Sequence, residues 1–219
     1  MRRFWRDNGL SLVLFALFLL FWAGQAWTGW REEVEQRRDH GATPPTLAEY
    51  LTSGSFVEAT AENWESEFLQ MFGYVLFTVF LYQRGSAESK SPDRAEEVDR
   101  DPRLSREPDA PGPVKAGGWR LRLYENSLSL AFLALFLISF VLHAIGGVAA
   151  YNEEQRLHGA AEVSIWEFLT HARFWFQSFQ NWQSEFLAIG SMVVLSIFLR
   201  QRGSPESKPV DSPHRSTGD

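Results

Sequence analysis

The sequence predicts an all-α membrane protein in which four transmembrane helices form two tandem, parallel two-helix repeats. Two observations carry this prediction: the chain aligns to itself, and each copy holds two long apolar runs. Residues 8–90 align with residues 126–208 without a gap at an offset of 118, and about 35 of the 83 paired positions are identical. Such a repeat limits the topologies that the chain can adopt.

The first and third predicted spans are the most apolar segments of the chain. Apart from one histidine, no ionisable residue occurs in 10–29 or 127–150, and about 20 such residues cross a hydrocarbon core of about 30 Å. The second and fourth apolar runs are shorter. Each follows a tryptophan that suits the headgroup region and extends the run toward spanning length. The predicted spans are residues 9–30, 64–82, 127–150 and 182–200, all approximate.

The repeats define the predicted domains, with the first repeat at 1–90 and the second at 119–208. Residues 91–118 between them are rich in proline, glycine, serine and mixed charge. Such a segment buries too little apolar surface to offset its ordering entropy. We therefore expect a disordered, charged cytoplasmic linker there and a disordered tail at 209–219. A docking role for these segments is the alternative.

Composition excludes several classes of protein. The chain has no cysteine, so disulfides, zinc–thiolate sites and cysteine nucleophiles are absent. Its net charge of −6 and the lack of a basic stripe argue against a nucleic-acid partner. Phosphate loops and nucleophile elbows are missing too, so we expect no enzyme activity and no cofactor. His40 and His158, with Glu35 and Glu153 nearby, lack the spacing of a metal site, and none is expected.

Basic residues predict the orientation and the location of the chain. The N-terminal arm, the linker and the tail hold 16 of the 21 lysines and arginines. Because cytoplasmic loops carry this excess, both termini are predicted to be cytoplasmic. A cleaved signal peptide is the alternative for the N-terminal run. That run is longer than the apolar core of a usual signal peptide, however, and its repeat partner lies in the middle of the chain. We expect a multi-pass protein of a bacterial plasma membrane with the lipid bilayer as its partner.

The loops between the spans of each repeat are predicted to contain short interfacial or outer helices. The first and third spans continue as polar helices that stop at His-Gly pairs, at residues 40–41 and 158–159, where glycine suits a left-handed cap. Thr46 and Ser164 each precede a glutamate by three residues, which matches a capping box. Many aromatic residues follow the second box. They predict a lid packed on the bundle, with a partner-binding patch as the alternative.

Polar residues are predicted to form a layer near the outer ends of the spans. Four lie about 22–24 Å from the cytoplasmic ends at a helical rise of 1.5 Å, and two asparagines lie one turn further out. Three interpretations remain open: glutamates at helix N-termini, polar contacts that lock helices together, or a transport or proton-relay site. The candidate residues are Gln25, Asn63, Glu67, His143, Asn181 and Glu185.

Two repeated blocks carry a resemblance to a known family. Asn-Trp-x-Ser-Glu-Phe-Leu occurs at 63–69 and 181–187, and Gln-Arg-Gly-Ser-x-Glu-Ser-Lys occurs at 83–90 and 201–208. With Arg-Asp-Asn-Gly-Leu-Ser at 6–11, they resemble an uncharacterised family of bacterial integral membrane proteins, a domain of unknown function. The resemblance implies a membrane location and no activity.

The function expected from these observations is a non-enzymatic structural or interaction role in the membrane. A protein partner or a homo-oligomer would be the basis of such a role. The alternative is a small transporter or channel that uses the polar layer, and an enzyme ranks third.

Overall fold

A computed structural model describes residues 2–218, and this range contains helices and turns but no β-strand. The all-α prediction is therefore confirmed for these residues. The α-helices are α1 Arg2–Asp39, α2 Leu47–Leu51, α3 Gly54–Phe77, α4 Gly112–Ala116, α5 Gly118–Glu125, α6 Ser127–Leu157, α7 Ile165–Phe168 and α8 Ala172–Phe198.

Two of these helices, α1 from Arg3 onward and α6, are long and apolar enough to cross a membrane. No residue in the most apolar stretch of α1 is fully buried, and few in that of α6 are. The second and fourth predicted spans fall in α3 and α8, whose bounds differ from those predicted. Each of these helices begins about ten residues earlier, and α3 already ends at Phe77. Membrane crossing by α3 and α8 stays a prediction.

The chain forms two compact units, and each draws on both halves of the sequence. The first unit comprises Met1–Ala61 and Leu142–Phe174, and the second comprises Glu62–Val141 and Trp175–Asp219. The helices α3, α6 and α8 each contribute residues to both units.

Two glycines bring α3 and α6 into backbone contact in the first unit. A Cβ added to Gly146 would lie 2.5 Å from the Glu58 nitrogen and 3.0 Å from the Gly54 oxygen. A Cβ added to Gly54 would lie 2.6 Å from the Ala150 nitrogen. Small residues allow helices to approach this closely, a common device in membrane bundles. Any larger side chain at Gly54 or Gly146 would therefore push the two helices apart.

Side-chain hydrogen bonds join α3 to α8 in the second unit. The Trp182 Nε1–H donates to the carboxylate of Glu65 at 2.9 Å, and Glu65 is fully buried. One turn and a half further along α3, the Gln70 side-chain amide donates to the Glu185 backbone oxygen at 3.0 Å. Side-chain hydrogen bonds of this kind hold helices together where the surrounding helix surfaces are apolar.

The repeated block at 83–90 and 201–208 folds into the same turn at both places. Gly85 and Gly203 have φ values of 89° and 84°, which favour glycine. In each turn the first amide donates to the serine hydroxyl six residues later at 2.9 Å. The identity of the two blocks therefore has a local structural reason: both encode one glycine-dependent turn.

The C-terminal tail packs against the first of these turns within the second unit. Lys208 is only 1% exposed, and its Nζ donates to the backbone oxygens of Gly85 at 2.5 Å, Ser216 at 2.8 Å and His214 at 3.1 Å. The Gly85 amide in turn donates to the Thr217 hydroxyl at 2.8 Å. The tail therefore has specific contacts in the structure, while the disorder expected for the linker and tail in solution stays a prediction.

The helix ends around residues 39–46 and 157–164 agree with the prediction from the sequence. The helices α1 and α6 end one residue before the expected histidines, and the glycine after each histidine has φ 67°. Thr46 forms the full capping box: its hydroxyl accepts from the Glu49 amide at 3.3 Å, and its own amide donates to the Glu49 carboxylate at 2.7 Å. The bond from the Thr46 amide, followed by one that the Thr46 hydroxyl donates to the same carboxylate at 2.9 Å, lowers the pKa of Glu49. At Ser164 the hydroxyl accepts from the Glu167 amide at 3.2 Å.

Candidate functional site

A cavity of about 220 Å³ lies in the first unit, where the polar ends of α1 and α6 meet the start of α3. It lies beyond the apolar stretches of α1 and α6, on the side of their C-terminal ends. Five carboxylates and two guanidinium groups contribute to its wall. These residues are Glu32, Glu33, Arg37, Glu58, Glu153, Glu154 and Arg173.

Arg37 joins α1 to α6 on one side of the cavity. Its Nε lies 2.8 Å from the Glu33 carboxylate one turn earlier on the same helix, and its Nη2 contacts the carboxylate of Glu153. All three side chains are mostly buried, with 17–26% of each exposed. Partial burial weakens solvent screening, so these pairs stabilise more than fully exposed ones. The guanidinium therefore ties the two helix ends together.

Arg173, at the start of α8, occupies the other side of the cavity. Its Nη1 lies 2.5 Å from the Glu154 carboxylate of α6, and its Nη2 lies 3.9 Å from the Glu58 carboxylate of α3. Glu58 is only 6% exposed. A buried carboxylate needs a nearby cation or hydrogen bonds because its desolvation is costly. Arg173 supplies that positive charge to Glu58.

Tyr50 of α2 closes the cavity against α1. Its hydroxyl lies so close to Gly29 that a Cβ there would overlap it. Burial raises the pKa of Tyr50, and the negative charges of Glu33 and Glu32 raise it further. The phenol therefore keeps its proton and remains a hydrogen-bond donor at the cavity wall. The full capping box at Thr46 fixes the start of the short helix that carries it.

The charges determine what this cavity can hold. Five carboxylates against two guanidinium groups leave the wall net negative, which favours a small cation or an amine over an anion. Nevertheless, no group of three or more His, Asp or Glu side chains within residues 2–218 is arranged to hold a metal ion. Most of the charge is already engaged in ion pairs between helices, and this suits a structural role.

The predicted polar layer is divided between the two units. In the first unit, His143 is fully buried and stacks on Phe174 with ring centroids 4.6 Å apart, whereas Gln25 is half-buried. In the second unit the exposure varies. Asn63 and Glu67 are exposed, whereas Asn181 and Glu185 are half-buried.

One interpretation of this layer is wrong. Glu67 and Glu185 do not begin their helices, because α3 starts at Gly54 and α8 at Ala172, thirteen residues earlier in each case. A helix dipole acts only within the first turn, so it does not account for either glutamate. The buried carboxylate of α3 in the second unit is instead Glu65.

Sequence reasoning also missed the two ion-pair clusters, although a signal was present. Glu58 and Arg173 have no charged counterpart in the other repeat, where Phe176 and Ser55 stand. An acidic and a basic residue that each lack a charged counterpart in the other repeat are candidates for an ion pair with one another.

The comparisons with known proteins place the chain in a family but assign no activity. No curated protein and no solved structure matches it. A family model described as a domain of unknown function, DUF6766, matches residues 1–219, and the chain therefore belongs to this family.

Proposed function

We propose that the chain is a four-span protein of a bacterial plasma membrane, with both termini cytoplasmic and a non-enzymatic structural or interaction role. No residue in the most apolar stretch of α1 is fully buried, which suits contact with lipid. The polar ends of α1 and α6, in contrast, are joined by ion pairs. In this proposal the ion pairs form a rigid outer head on helices that lie in lipid.

The contact between the ends of α1 and α6 is the observation that carries the four-span proposal. Arg37 pairs with Glu153, and the rings of His40 and His158 have centroids 5.9 Å apart. If α1 and α6 both cross the membrane, their C-terminal ends lie on one side and their N-terminal ends on the other. The chain between them must then cross back, and α3 is the only long helix described there.

The second unit supports a fourth crossing by α8 in the same way. Lys208 follows α8 and Gly85 follows α3, and the Lys208 Nζ donates to the Gly85 oxygen. The ends of α3 and α8 therefore share one side of the membrane. With the end of α6 on the outer side, α8 has to cross to bring the tail back to the cytoplasm.

Single cysteines test this topology, since the protein has none of its own. In intact cells, a membrane-impermeant maleimide is expected to label His40→Cys and His158→Cys, and to label Arg100→Cys only after permeabilisation. If only α1 and α6 crossed the membrane, residue 100 would lie outside the cell and residue 158 inside, the opposite of what is expected here. Labelling of Arg100→Cys and protection of His158→Cys in intact cells would therefore overturn the proposal.

A small transporter or channel is the second candidate function. The net negative charge of the cavity wall and the buried carboxylate of Glu65 favour it. A carboxylate buried within an apolar helix bundle is a frequent proton carrier. If the protein moves protons, Glu65→Gln is expected to abolish a pH-driven flux in proteoliposomes, whereas the exposed Glu67→Gln leaves most of it. An absence of flux in the wild-type protein, with monovalent and divalent cations supplied, would remove this candidate.

A further inference from the structure

Two exposed histidines meet at the outer ends of α1 and α6. His40 and His158 directly follow the last residues of the two helices, and their ring centroids are 5.9 Å apart with an interplanar angle of 72°. Neither ring belongs to the wall of the charged cavity. The sequence alone did not predict a metal site here, because the two histidines are 118 residues apart.

Both rings are held in the form that suits metal binding. The His40 Nδ1 lies 2.8 Å from the Gln36 carbonyl oxygen, and the His158 Nδ1 lies 2.8 Å from the Glu154 carbonyl oxygen. A carbonyl oxygen can only accept, so each Nδ1 carries the proton. In the neutral ring the Nε2 then holds a lone pair. Metal-ligating histidines commonly donate their other ring N–H to a carbonyl in this manner.

The spacing of the rings fits one shared ion. A zinc–nitrogen bond of about 2.0–2.1 Å places each ring centroid about 3.2 Å from the metal. Two such rings have centroids about 5.2 Å apart at a tetrahedral angle and about 6.4 Å apart when opposed. The observed separation of 5.9 Å lies between these limits.

The charges beside the two rings are mixed. The C-terminal ends of α1 and α6 converge on this pair of rings, and each carries the partial negative charge of its helix dipole. Arg37, Arg38 and Arg156 lie in the last turns of these helices, but Arg37 and Arg156 are each paired with a glutamate. Both rings are exposed, so an ion can reach them from water, and water can complete its coordination.

We propose that His40 and His158 form a two-histidine site for a borderline divalent transition metal such as Zn²⁺ or Cu²⁺. Imidazole nitrogens suit these ions and not Mg²⁺ or Ca²⁺. Bound metal crosslinks the ends of α1 and α6 beside the Arg37–Glu153 pair. Binding weakens as the pH falls, because protons compete with the metal for the imidazoles.

Electron paramagnetic resonance of Cu²⁺ on the purified full-length protein tests the site. The protein is isolated through a tag without histidine and kept in detergent. At one equivalent of Cu²⁺, the wild-type spectrum is expected to show two coordinated imidazole nitrogens. His40→Ala and His158→Ala are each expected to lose this signal and to weaken Cu²⁺ binding at least tenfold.

His214→Ala is the matched control. His214 is also exposed, and its Nδ1 lies 3.0 Å from a backbone oxygen, that of Ile197, but it belongs to the second unit. This variant is expected to keep the two-nitrogen signal. A wild-type spectrum with fewer than two nitrogens, or an unchanged signal in either single variant, would overturn the site. Because the measurement needs no membrane, its result does not depend on the topology.

Discussion

Gly146→Ala is expected to destabilise the first unit by about 1–3 kcal/mol, the usual cost of an overpacked contact. The new Cβ would meet the backbone nitrogen and Cα of Glu58 and the backbone oxygen of Gly54, at 2.5–3.0 Å. None of these atoms belongs to a flexible side chain, so α3 and α6 would have to move apart. Thermal unfolding of the purified protein in one detergent measures the loss.

Gly24→Ala provides the control, because Gly24 is also a helical glycine and a Cβ there has no neighbour within 4 Å. Alanine favours helix more than glycine, by about 1 kcal/mol, so this variant is expected to be neutral or slightly more stable. Equal unfolding temperatures for the two variants would show that the close contact between α3 and α6 is not formed.

Lys208→Met is expected to release the C-terminal tail from the second unit. Methionine keeps most of the length of the side chain but removes the donor that Gly85, His214 and Ser216 share. Gly85 is buried, whereas His214 and Ser216 are exposed. The substitution therefore removes the Lys208 donor from one buried carbonyl, which costs about 1–3 kcal/mol and favours the undocked tail. Hydrogen exchange measures the result at the Gly218 amide, which donates to the Ser86 oxygen. We expect its exchange to accelerate about tenfold or more.

Lys115→Met controls for the loss of a positive charge. Lys115 lies in the linker and is exposed, so its replacement should leave exchange at Gly218 unchanged. If Lys208→Met also left that amide protected, the buried ammonium would not hold the tail, and the other contacts of the tail would suffice to dock it.

The sequence predicted the C-terminal ends of α1 and α6 and the start of α2 well, because local chemistry determines them. The His-Gly stops and the threonine of the capping box act within a few residues, and both appear where they were expected. The starts of α3 and α8 were placed too late. The predicted spans were set by apolar content and began at Trp64 and Trp182, so the more polar turns before them were left out. Glu58 lies in one of these turns, and pairing with Arg173 offsets the cost of its burial.

The buried face of α3 was harder to predict. Asn63 and Glu67 were singled out as polar residues at one depth in the predicted spans, yet these positions are exposed. Burial instead follows a helical period through Ala61, Glu65 and neighbouring positions. Depth along a helix does not identify its buried face. The carboxylate of Glu65 is buried where the Trp182 indole of another helix donates to it. Contacts between distant segments are not encoded in local spacing.

The crossed ion pairs at the C-terminal ends of α1 and α6 make the two halves of the chain non-interchangeable. Each bridging arginine comes from one half and takes an acid from the other: Arg37 takes Glu153, and Arg173 takes Glu58. A protein assembled from two first halves would place Ser55 where Glu58 needs its cation, and one assembled from two second halves would lack Glu58 altogether. The charged cluster therefore draws on both halves of the chain, and a homodimer of either half would lack the Arg173–Glu58 pair.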